Sequence, residues 1–85
     1  MRIREEKQFQ EEFAALPREI QKRATKQLAF FLQNPRHPSL RTHKMEGYQD
    51  IWEGHVTQGY CFTFKIIGEV YILRRIGTHG IYRKP

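Results

Sequence analysis

The sequence predicts an α+β fold: two N-terminal helices packed on one face of a small antiparallel β-sheet. Three observations predict it. Apolar residues recur at helical spacing through the first third of the chain. The period then drops to two, in runs rich in aromatic and β-branched residues. The breaks between those runs have hairpin length, and helices followed by strands form a helix layer on a sheet. Eighty-five residues make a single domain, 1–85.

The elements follow in order. Residues 1–5, MRIRE, alternate and read as a short strand. Phe9, Phe13 and Leu16 then mark the first helix. Pro17 interrupts and suits the first turn of a second helix, where its missing N–H costs nothing. That helix carries Ile20, Ala24, Leu28, Phe31 and Leu32 on one side and Arg18, Lys22, Arg23 and Lys26 on the other. It must end by the NPRHP stretch, because a residue before proline disfavours the helical region. Residues 34–47 read as a loop-like connector. DIWEGHV, GYCFTFKI and EVYILRRI follow as strands, and GIYRK as a short final edge strand. Alternation puts Trp52, Val56, Phe62, Phe64, Val70 and Ile72 under the helices. It leaves Glu53, His55, Cys61, Thr63, Lys65, Leu73 and Arg75 on an open, mostly polar face.

Fifteen Lys and Arg against nine Asp and Glu give a net charge of +6. Such a field on a small chain favours nucleic acid or an acidic partner, the alternative being a merely solubilising surface. The lone Cys61 makes no internal disulfide, which suits a reducing, cytoplasmic compartment. No apolar stretch approaches the ~20 residues of a membrane span, so no membrane partner is expected.

Four histidines raise the question of chemistry. His37, His43, His55 and His79 are scattered, without the short spacings of zinc sites, so no metal site is expected. His37, in the PRHP turn, reads as structural. The other three each lie close to a stacking or phosphate-binding residue type: His43 between Arg41 and Lys44, His55 near Trp52, His79 before Tyr82 and Arg83. Imidazole titrates near neutral pH and can exchange protons with a ribonucleotide linkage. A base for the ribose 2′-hydroxyl, an acid for the departing 5′-oxygen and cations for the phosphorane are all available. Histidines that only hydrogen-bond remain the competing reading.

The residues 34–85 resemble the C-terminal two-thirds of RelE/ParE-superfamily toxins from bacterial type II toxin–antitoxin modules. The resemblance rests on KMEG, the GYCF strand start and the closing G-T-H-x-x-Y; the LPREIQKRATKQLAFFLQNP helix is similar to the one that precedes the sheet in those proteins. It implies a microbial-RNase-like fold and a metal-independent endoribonuclease without cofactors. The implied substrate is mRNA, usually in the ribosomal A site, and the implied partner is a cognate antitoxin. Lys44 matches a catalytic lysine position of the family and Tyr82 its C-terminal tyrosine. His43, His55 and His79 match the histidines of the YafQ-like branch. Arg41, Lys65, Arg75 and Arg83 are the cations expected on RNA. Cys61 stands where many members carry a phosphate-holding arginine, and reads as a spacer. Two alternatives stay open: a ParE-like inhibitor of DNA gyrase, and a non-catalytic basic RNA-binding module.

Overall fold

The computed structural model describes residues 2–85. Strand β1 (Arg2–Glu5) leads into helices α1 (Lys7–Ala14) and α2 (Arg18–Gln33), followed by strands β2 (His43–Lys44), β3 (Trp52–His55), β4 (Cys61–Ile67) and β5 (Val70–Gly77). Short 3₁₀ turns occupy Pro38–Leu40 and His79–Arg83. All five strands form one sheet in the order β1-β5-β4-β3-β2. Three of the pairings are antiparallel, but β1 runs parallel to β5, so the sheet is mixed.

The helices cover one face, as their apolar stripes require. Phe9 of α1 and Ala24 and Phe31 of α2 are buried with Leu40, Phe62, Phe64, Leu73 and Ile76. Phe31 is the central contact. Its ring meets Phe62, Phe64 and Tyr71 edge-on, with centroids 5.4, 4.9 and 5.6 Å away, the geometry aromatic quadrupoles favour. Leu32 falls outside the stripe and is exposed. Gln21 Nε2 donates to the Phe13 and Ala14 carbonyls (3.0 and 3.2 Å), satisfying the end of α1. Gln27 Nε2 donates to the His55 carbonyl at 2.9 Å and ties α2 to the end of β3.

The expected face alternation holds in β3 and β4 and fails in β5. Thr63 pairs with Arg75, yet the next residue, Phe64, pairs with Leu73. Arg74 is therefore the extra residue of a β-bulge, which reverses the parity of what precedes it. Leu73 (2% exposed) sits in the core, contrary to its expected place on the polar face. Val70 and Ile72, expected under the helices, are only half-buried.

Two further expectations give way. The connector is not all loop, because His43–Lys44 pairs with β3. The GIYRK segment is a 3₁₀ turn rather than an edge strand. Ile81 is buried, and the chain after it folds back across the polar face. Thr63 Oγ1 and Arg74 Nε both donate to the Pro85 carbonyl, at 3.0 and 3.2 Å. That face is thus covered rather than open, and Glu53, Cys61 and Thr63 are buried.

Candidate active site

The site begins with strand register. Residue 43 of β2 stands directly opposite residue 53 of β3. Directly opposed residues project to the same face, as do residues two apart on one strand. His43, Glu53 and His55 therefore converge. Glu53 is 4% exposed, and its Oε1 faces both His43 Nε2 (3.4 Å) and His55 Nε2 (3.2 Å). The two imidazole centroids are 6.2 Å apart.

Second contacts fix the His43 ring. Its Nδ1 lies 3.0 Å from the Arg41 carbonyl. A carbonyl only accepts, so Nδ1 carries the hydrogen and Nε2 is the nitrogen aimed at Glu53. Arg41 holds this carbonyl in place from a left-handed conformation (φ 48°) that closes the 3₁₀ turn.

The C-terminal turn completes the group. Tyr82 lies beside Glu53 and Cys61, and burial, aided by both neighbours, pushes its phenol pKa up. The Cys61 thiol is also pushed up, mainly by burial, so it stays a neutral thiol. The His79 ring stacks on Tyr82, with centroids 5.2 Å apart and planes 24° from parallel. Tyr48 donates its hydroxyl to the Tyr82 carbonyl at 2.6 Å, tying the β2–β3 loop to this turn.

The expected cations divide. Lys44 lines a shallow cleft with His43, Met45, Glu46, Glu53 and Tyr82, and its ammonium is 3.5 Å from Asp50. Arg41 lines an adjoining hollow with Ser39, His55, Val56, Thr57 and Gln58. Arg75 is otherwise engaged: Nε and Nη2 donate to Glu12 at 3.2 and 2.6 Å, and Nη1 donates to the Lys84 carbonyl at 3.0 Å. Arg83 borders a different hollow with Tyr48, Arg74 and Lys84. Lys65 shares the polar parity of β4, two residues beyond Thr63, but does not line the cleft. His37 stacks on Phe30 at 4.2 Å and contacts Ser39 Oγ through Nδ1 at 2.9 Å, which occupies it structurally.

No protein-family model matches the sequence, and no curated protein matches it. Solved structures do. The RelB–RelE antitoxin–toxin complex from Methanococcus jannaschii superposes with a TM-score of 0.72 at 23% identity, covering 96% of this chain and 99% of that one. YafQ from E. coli gives 0.68 at 21% identity, with 96% and 98% covered. A copper-bound mutant toxin from Helicobacter pylori gives 0.70 at 18% identity, with 94% and 96% covered. The fold is that of RelE-superfamily toxins. In this RelE-type fold the end-to-end coverage leaves no large insertion in either chain.

Sequence reasoning named the histidines and Tyr82 but missed Glu53, the carboxylate on which two of them meet. The signal was present in WEGH, where Glu and His at i and i+2 share a strand face. What it lacked was β2, a two-residue strand too short to read. The RelE-type sheet also removes the spacing argument against a metal. That argument counted along the chain, whereas His43, Glu53 and His55 are joined across strands, their ligand atoms within 4.8 Å of one another.

Proposed function

We propose that this chain is the toxin of a type II toxin–antitoxin module and acts as a metal-independent endoribonuclease on mRNA, on the ribosome in the cytoplasm. The observation that carries the reading is the convergence of His43 and His55 on Glu53 beside Tyr82, with His79 stacked on that tyrosine. The likeness to RelE and YafQ structures supports it, and the antitoxin in the M. jannaschii complex supports a protein antitoxin as partner.

In this reading one imidazole takes the proton of a ribose 2′-hydroxyl. The 2′-oxygen attacks phosphorus, and the P–O5′ bond breaks as a second imidazole gives its proton to the departing oxygen. The products are a 2′,3′-cyclic phosphate and a 5′-hydroxyl. Glu53 orients the His43–His55 pair and balances imidazolium charge, as a carboxylate does for a catalytic histidine. Tyr82, kept neutral by burial, is a hydrogen-bond donor toward the phosphate or a stacking surface for a base. Lys44 and Arg41 flank the cleft as phosphate-binding cations, with Lys65 and Arg83 extending the positive surface, while Arg75 stays paired with Glu12.

The test is inducible expression with mapping of mRNA 5′ ends, repeated in vitro in EDTA. Growth arrest with codon-phased cuts, and cleavage that survives EDTA, is the expected result. His79→Ala should cut more slowly by about 10²–10⁴-fold, the usual worth of a positioned acid or base. Intact mRNA with inhibited gyrase supercoiling would replace this reading by the ParE-like one. Salt-sensitive RNA binding without cuts would leave only a binding module.

A further inference from the structure

The proton arithmetic at Glu53 is incomplete. His43 donates its Nδ1 hydrogen to the Arg41 carbonyl. A neutral His43 therefore turns a lone pair at Nε2 toward the Glu53 oxygen 3.4 Å away, which is itself only an acceptor. His55 brings a second imidazole nitrogen to the same oxygen at 3.2 Å. A hydrogen on His43 Nε2, a hydrogen on the Glu53 carboxyl, or a cation would reconcile these atoms.

The spacing fits a cation. Ligands about 2.0–2.1 Å from a tetrahedral ion are separated by edges of about 3.3 Å. The two nitrogen–oxygen separations, 3.4 and 3.2 Å, are close to those edges, and the three ligand atoms all lie within 4.8 Å of one another. Two imidazoles and one carboxylate suit Zn²⁺, Ni²⁺ or Cu²⁺, whereas Mg²⁺ and Ca²⁺ demand mostly oxygen. Three protein ligands leave the fourth position open to the cleft that Lys44 and Tyr82 line. The Arg41 carbonyl supplies the outer hydrogen bond that typically holds a ligating histidine in the correct tautomer. A chain of net charge +6 repels free cations, so binding here must come from these ligands and not from a general negative field.

We propose that His43, Glu53 and His55 bind a divalent transition-metal ion, and that filling the site silences the nuclease by tying up two of its proton-carrying rings. The silencing rests on the reading given under Proposed function; the binding does not. A metal-loaded toxin and a metal-free one then differ in activity without any change of fold.

The experiment is calorimetric titration of the full chain, freed of metal by EDTA and buffer exchange, with ZnCl₂ and separately with MgCl₂. One Zn²⁺ site and no Mg²⁺ site are expected. His43→Gln, at an exposed position where the fold tolerates change, should weaken Zn²⁺ binding by about tenfold or more, while His37→Gln should leave it unchanged. Equal Zn²⁺ affinity in His43→Gln and the parent chain, or Mg²⁺ binding as tight as Zn²⁺, overturns the site. RNA cleavage is followed in parallel, and Zn²⁺ should stop it and EDTA restore it. Cleavage that continues or rises with Zn²⁺ bound overturns the silencing. A metal-free chain that never cuts RNA overturns the nuclease reading, and the calorimetry still decides the site.

Discussion

Two carboxylates on opposite flanks of the sheet are held in different ways. Glu12, on α1, takes Arg75 Nε and Nη2 on its two oxygens and also accepts the Ile76 backbone N–H at 3.3 Å. Every donor there is permanently charged or part of the backbone, and the Arg75 pKa is raised, first by its hydrogen bonds to Glu12. Glu53 instead faces two imidazoles through a single oxygen, with the hydroxyl of Tyr82 nearby. The first arrangement is saturated and fixes α1 to β5. The second joins side chains that can exchange protons, and it lines a cleft. The difference teaches how to separate a structural ion pair from a chemical one: count which partners are able to exchange a proton.

The strongest way to break the comparison is at Glu53. His55→Ala should lower RNA cleavage by about 10²–10⁴-fold with the unfolding midpoint little changed, as read by single-turnover cleavage beside urea titration. A large loss of stability with normal cleavage per folded molecule would make the cluster another Glu12. The converse change is intermediate in size. Glu12→Gln should cost about 1–3 kcal/mol in urea unfolding, the worth of hydrogen bonds to a charged group, and leave cleavage per folded molecule unaltered.

The smallest effect concerns Tyr82. The folded chain holds its phenol proton more tightly than the unfolded chain, where tyrosine titrates at 10.0. Its contribution to stability is therefore complete below pH 10 and declines as pH rises further, because the unfolded state ionises first. Absorbance near 295 nm should show one of the four tyrosines lagging in the native protein, and Tyr82→Phe should remove that lagging step. Four tyrosines titrating together near pH 10 in the folded chain would place Tyr82 outside the buried group.

Much of this was legible in the chain. The i, i+4 stripe of Phe9 and Phe13 and the spacing of Ala24, Leu28 and Phe31 gave the helices, and the parity of Trp52, Phe62 and Phe64 gave the core face. His43, His55, His79 and Tyr82 were named from residue type and resemblance. What stayed hidden depends on pairing across the sheet. A two-residue strand has no period, so nothing local aligned His43 with Glu53. A bulge breaks alternation without leaving a signature in residue type, and Leu73 was misplaced by it. Burial of the polar face depends on a short tail anchored by Ile81 and Pro85, too brief to show a period. Gly54 belongs to the same class. A Cβ there would lie 2.4 Å from Cζ of the Phe62 ring, and that constraint appears only once β3 and β4 are paired.

The extra residue in β5 switches which parity of the strand faces the helix layer. Up to Leu73 its odd-numbered side chains feed the helix layer, and past Arg74 the even-numbered Ile76 does, while Arg74 and Arg75 together hold the Pro85 and Lys84 carbonyls. A chain shortened by that one arginine would have a single reading frame for the whole strand. Leu73, Arg75 and Ile76 would then alternate regularly, with Ile76 still inward opposite Phe62, and the tail over Glu53 would lose the Arg74 Nε bond to the Pro85 carbonyl although no residue of the cleft had been touched.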